Sequence, residues 1–79
     1  MARVTEFESV VRQRPYVHET VRCTHFTFDG DDGRRYLVLE TYGSSHRQER
    51  DKVSQSLQVD EDAAAKLIAL LREAFPKLR

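Results

Sequence analysis

The chain has 79 residues, 39% of them hydrophobic and 33% charged, with thirteen basic groups balancing thirteen acidic ones. That mix predicts one globular domain over residues 1–79 rather than a disordered tail, with a core near the lower limit for a chain standing alone. Zero net charge weighs against a general polyanion binder, although a local basic patch can suffice. No apolar run approaches the ~18–20 residues of a membrane span, and the first residues lack the apolar core of a signal peptide, so no membrane contact is expected. The single cysteine, Cys23, rules out an intramolecular disulfide and fits a reducing compartment, with the cytoplasm as the expected location. Ten of the thirteen bases are Arg, which favours planar, bidentate contacts over point charge.

Taken in chain order, residues 3–12 leave two readings open. Val4, Phe7 and Val11 fit a helical stripe, while "FESVVRQ" also fits a strand closed by a turn near "RPY", and the strand is favoured. "VRCTHFTF", Val21 to Phe28, is rich in β-branched and aromatic residues and ends at "DGDDG". That cluster is turn chemistry, because Gly supplies positive φ and Asp tolerates it. "RRYLVLETY", Arg34 to Tyr42, then completes a hairpin. Its alternation puts Leu37, Leu39 and Thr41 on one face, and Tyr36, Val38, Glu40 and Tyr42 on the other.

A ten-residue polar link, "GSSHRQERDK", runs from Gly43 to Lys52. "KVSQSLQV" follows as a strand, with Val53, Leu57 and Val59 on one side. Asp60 can cap a helix over residues about 60–75. Glu61 and Asp62 complement its dipole, and Ala64, Leu67, Ile68, Leu71, Phe75 and Leu78 form an apolar stripe. Pro76 limits the helix near Phe75. The expected fold is α+β, a curved antiparallel sheet of about four strands with one C-terminal helix packed across one face (ββββα). That helix would lie on Leu37, Leu39, Leu57 and Val59, leaving Tyr36, Val38 and Tyr42 on the open face.

Three uses fit such an open tyrosine face: stacking of unpaired bases, cross-strand stabilisation of the sheet, and a homodimer interface. Around it, Arg34 and Arg35 at the hairpin, His46, Arg47, Arg50 and Lys52 in the link, and Arg12 and Arg14 near the first turn suggest a basic rim for phosphates. The plainer reading of the link is a solvated loop whose Glu49 and Asp51 neutralise its bases.

No enzyme, cofactor or metal is expected. Cys23 and His25 sit two apart, but nothing makes His18 or His46 converge on them in a zinc site. Cys23 is not expected to act as a nucleophile either, because strand burial without a positive helix end beside it would leave the thiol unactivated. Asp29, Asp31 and Asp32 lack the spaced ligands and terminal Glu of a calcium loop.

The stretch "YLVLETYGSSHRQERDKVSQSLQVDEDAAAKL", within residues about 21–75, resembles the single-stranded-DNA-binding domain of the transcriptional positive cofactor (coactivator) family. PUR and Whirly domains are similar in outline. The resemblance implies a dimerising ββββα domain whose strands and loops form channels for unpaired nucleic acid. It sets Phe28 near the family's turn aromatic, Arg34 at the base after the turn Gly, and Tyr42 at the end of the second hairpin strand. Gly43 stands where the family has a stacking Trp and Glu40 where it has a strand Arg. Asp51, Ser54 and Gln55 stand where it has bases, with Arg50 and Lys52 one step away.

The expected function is therefore non-enzymatic binding of single-stranded DNA or RNA by a homodimer, with a transcriptional role implied by the resemblance. Phe28, Tyr36 and Tyr42 would stack bases. Arg12, Arg14, Arg34, Arg35, Arg47, Arg50 and Lys52 would hold phosphates. The alternative is a small homodimeric protein-interaction module of the same fold that binds no nucleic acid.

Overall fold

A computed structural model describes residues 1–43 and 52–79. Four strands and a helix follow one another as β1 (Ala2–Arg3), β2 (Cys23–Asp29), β3 (Arg35–Tyr42), β4 (Val53–Val59) and α1 (Glu61–Ala74). The strands form one open sheet in the order β1-β4-β3-β2. This is the expected α+β, ββββα layout.

Local chemistry explains the hairpin between β2 and β3. Gly33 takes a φ of 78°, a conformation that costs other residues about 1–2 kcal/mol. Its amide donates to the Gly30 carbonyl at 3.0 Å, and the Gly30 amide donates to the Arg34 carbonyl at 2.8 Å. Asp32 tightens the turn by accepting the Arg34 amide at 3.0 Å. Gly30 is needed for a different reason, since a Cβ there would lie 2.9 Å from the Tyr36 ring.

The helix starts as its first residues dictate. Asp60 is extended (φ −92°, ψ −175°), and its carboxylate accepts the Ala63 amide at 2.9 Å. Glu61 and Asp62 occupy the positive first turn and Arg72 the negative last one. After the helix, the Phe75 amide bonds the Leu71 carbonyl.

Three expectations need correction. The first strand is not residues 3–12 but only Ala2–Arg3, and it runs parallel to β4, pairing Ala2 with Leu57 and Arg3 with Gln58. The sheet is consequently mixed rather than wholly antiparallel. Beyond the Val4 amide, which donates to the Gln58 carbonyl, residues 5–22 form neither strand nor helix. With no neighbouring strand to receive them, Val10, Val11 and Val17 stay exposed.

The second correction concerns the faces of the sheet. Cross-strand register puts Leu37 opposite Val59 and Leu39 opposite Leu57 on one face, as the alternation predicts. Yet the most deeply buried residues of β3 belong to the other face: Val38 is 0% exposed and Tyr36 5%. Leu37, Leu39 and Leu57 are only half-buried. On their side the sheet opens into a hollow of about 520 Å³ lined by Met1, Val4, Cys23, Leu39 and Leu57.

The third follows from how the helix is attached. Asp60 alone separates β4 from α1, so the helix begins at the end of the sheet. There Ala63, with its small side chain, is the one buried helical residue. The later turns leave Ile68 47% exposed, together with Leu71, Phe75 and Leu78. Among the described residues, the hydrophobic core is Tyr36, Val38, Val59 and Ala63.

Candidate nucleic-acid interface

Alternation along β2 puts Thr24, Phe26 and Phe28 on one face, and register sets them opposite Glu40, Val38 and Tyr36. Phe28 stacks on Tyr36 with centroids 5.5 Å apart and planes 25° from parallel. Phe26 lies 6.3 Å from Phe28 at 36°. The two phenylalanines are 46% and 39% exposed, so they form an aromatic ledge, with Tyr36 as the buried ring behind Phe28.

A polar cluster fixes Tyr36. Its hydroxyl donates to the Asp32 carboxylate. That bond, with the Arg34 amide, holds the Asp32 carboxyl below its ordinary range, and it pushes the Tyr36 phenol above the usual value. The Arg3 guanidinium lies 5.4 Å from the Tyr36 ring centroid. Arg3 also approaches Asp60 at 3.9 Å, and Arg34 reaches the same carboxylate at 3.4 Å. Asp60 is held below the ordinary carboxylate range chiefly by the Ala63 amide, with the two guanidinium groups adding to the effect. One carboxylate thus ties β1, the hairpin and the start of α1 together.

Past Phe26 along β2, Tyr42 is half-buried, and its hydroxyl lies 3.1 Å from the Thr24 hydroxyl. The Arg22 guanidinium sits 3.9 Å from the centre of its ring. An irregularity in the β3–β4 register between Thr41 and Tyr42 sets Tyr42 opposite Val53, next to Lys52. The ledge therefore has Arg22 near one end, and Arg3 and Arg34 near the other.

The expected site is only partly assembled. Phe28 is exposed as stacking requires, and Tyr42 is partly so. Tyr36 is not on an open surface: its ring is buried behind Phe28, and this corrects its proposed role as a stacking residue. Arg34 is engaged with Asp60, and Arg35 pairs with Asp29 at 3.2 Å on the opposite face from the ledge. Beside this hairpin, a cleft of about 400 Å³ is lined by Arg34 and Arg35 but also by Asp60, Glu61 and Asp62, so it is not a purely basic phosphate seat. Arg12 and Arg14 are exposed on the segment before β2, and no described contact joins them to the ledge. Arg47 and Arg50, like His46 and most of the link, lie outside the described residues.

Phe26 and Arg22 are additions. The signal for Phe26 was present in "THFTF", whose alternation sets it beside Phe28. Arg22 precedes β2 and carries no local mark of its contact with Tyr42, a residue distant in the chain.

No family model, curated protein or solved structure matches this chain.

Cys23 and His25 stand on β2, where Cys23 is exposed at the sheet edge rather than buried as expected, while the His18 ring packs 4.4 Å from that of Tyr16 on the preceding segment. Among the described residues, no three His, Cys, Asp or Glu side chains come together as metal ligands. No described helix is long and apolar enough to cross a membrane.

Proposed function

We propose that this domain binds single-stranded DNA or RNA without base-specific readout, as a cytoplasmic homodimer. The observation that carries the reading is the exposed Phe26–Phe28 ledge, backed by Tyr36 and flanked by guanidinium groups at both ends. Unpaired bases stack on such rings with little regard to sequence, each contact worth ~1–3 kcal/mol. Arg22, stacked on Tyr42, and Lys52, beside Val53, would turn from their present contacts to the phosphates that follow the stacked bases. Arg34 would have to exchange its carboxylate partner for phosphate, and Arg35, on the other face of the sheet, would take no part. A transcriptional role is what the coactivator resemblance adds. The homodimer is supported by the smallness of the core, which gains from a partner chain.

A second reading has its own observation. Ile68, Leu71, Phe75 and Leu78 form an apolar stripe on the exposed part of α1 and the residues after it, a surface suited to a protein partner. Together with zero net charge, it favours a protein-interaction module. Fluorescence polarisation with a ~20-nucleotide strand separates the two, because only phosphate contacts weaken log-linearly as salt rises. Binding weaker than ~100 μM at low salt is no better than nonspecific association and removes the nucleic-acid reading.

A further inference from the structure

We propose that two copies of this chain join edge to edge through β2, antiparallel and centred on Phe26, so that two sheets and two aromatic ledges become continuous. The proposal specifies the interface of the homodimer suggested above, and it stands whether or not nucleic acid binds.

Among the described residues, the strand order leaves β2 at one edge of the sheet. The opposite edge, β1, is only two residues long. By contrast β2 has seven residues, "CTHFTFD", six of them exposed. Edge strands are usually protected by Pro, Lys, bulges or a covering segment. This one contains neither Pro nor Lys, and its pairing with β3 is regular throughout. It offers a long row of backbone donors and acceptors.

Which of those groups point outward follows from the turn. The Gly30 amide bonds the Arg34 carbonyl, so the alternating ladder turns the backbone groups of Phe28, Phe26 and Thr24 toward β3. The N–H and C=O groups of Cys23, His25, Thr27 and Asp29 therefore face the free edge.

A two-fold axis perpendicular to the sheet keeps each side chain on its own face, so it can pair only positions of equal parity. With Phe26 on the axis, His25 exchanges bonds with Thr27 of the second copy, and Cys23 with Asp29. Every outward backbone group of β2 is then paired. A centre one or two residues away leaves part of the row without a strand opposite. On the ledge face, Phe26 meets Phe26 of the second copy in a non-hydrogen-bonded pair, the type with the closest Cα approach, about 4.5 Å. Thr24 lies opposite Phe28. The rings thus run Phe28, Phe26, then Phe26 and Phe28 of the other copy, at cross-strand distances that favour aromatic contact.

The test is made without nucleic acid. Sedimentation of the wild-type chain at high micromolar concentration should show a dimer. Thr27→Pro removes an outward amide and keeps the β2–β3 ladder, so it should abolish the dimer while retaining a cooperative unfolding transition. Independently of that variant's folding, Phe26→Cys in a Cys23→Ser background should form a disulfide-linked dimer on mild oxidation. The two Cα atoms would fall at the short end of the disulfide range, ~4.4–6.8 Å. His25→Cys in the same background should not cross-link, because that residue faces Thr27 of the other copy and its own counterpart lies beyond ~7 Å. A monomeric wild type overturns the proposal, as does a folded Thr27→Pro variant that still dimerises. Equal cross-linking at positions 25 and 26 also overturns it. So does a dimer broken by Ile68→Glu but not by Thr27→Pro, which would place the interface on the helix.

Discussion

Phe28 lies over Tyr36 with centroids 5.5 Å apart, yet the two rings have opposite exposures: Phe28 faces solvent and Tyr36 is buried. In the proposed site the pair would divide the work. Phe28 can present a face to a base, while Tyr36, tied to Asp32, approached by Arg3 and closed in by Gly30, fixes where that face points.

Substitutions should separate the two roles. Phe28→Ala and Phe26→Ala should each weaken single-strand binding by ~1–3 kcal/mol, with a smaller drop in the unfolding midpoint than Tyr36→Ala causes. Tyr36→Ala should instead lower stability first, seen as a large drop in the urea midpoint. An unchanged midpoint would mean that Tyr36 is not a core ring.

Burial predicts opposite outcomes for two apolar truncations. Val38→Ala removes part of a fully buried side chain, whose complete burial is worth about 1.5–3 kcal/mol, and it should lose a substantial share of that. Ile68→Ala, at a half-exposed site on α1, should stay within about 0.5 kcal/mol. Urea unfolding at low concentration measures both. A larger loss at Ile68 would mean that the helix is covered.

The turn offers a backbone test. Gly33→Ala must hold a φ of 78° against its Cβ and should cost about 1–2 kcal/mol. Gly33→Asn should cost less, because Asn tolerates that region. Equal effects of the two would remove the conformational explanation.

Stability should also fall at both ends of the pH scale. Asp32 and Asp60 have folded pKa values below the ordinary 3.8, so their contribution is complete above that value and is lost as pH falls through the depressed folded values. The Tyr36 phenol is shifted above 10.0, so its contribution is present below that pH and lost as pH rises through the folded value. Asp60→Asn should flatten the acid limb of a thermal-melting profile and leave the alkaline limb in place. An unaltered acid limb would contradict the role given to Asp60.

The features legible in the sequence are those set by neighbours in the chain. "DGDDG" specified a turn because Gly33 alone can supply its positive φ cheaply, and "VDEDAAA" specified the helix start because Asp60 reaches the Ala63 amide. Alternation grouped Leu37 with Leu39 and Tyr36 with Val38, but period two cannot tell which group is buried. That depended on contacts across the fold, such as Phe28 stacking on Tyr36 and Arg3 approaching its ring, a nonlocal outcome. β1 left no signal because two residues pairing in parallel with a distant strand have no periodicity. At the site, Phe28 was singled out only through the coactivator resemblance, whereas its partly exposed place over Tyr36 follows from the hairpin register. The ion pairs that engage Arg34 and Arg35 were not legible, since they depend on Asp60 folding back beside the hairpin and on Asp29 lying across from Arg35.

Polarisation titration of a ~20-nucleotide single strand at several salt concentrations tests nucleic-acid binding most directly, using wild type, Phe28→Ala and Arg22→Ala. Stacking on the ledge with phosphate contact predicts log-linear weakening of wild-type binding as salt rises. Phe28→Ala should lose affinity with the slope retained, and Arg22→Ala should have a slope smaller by ~1. Binding weaker than ~100 μM at low salt, or affinity indifferent to both salt and Phe28, would contradict it and leave the exposed helix stripe as the surface to pursue.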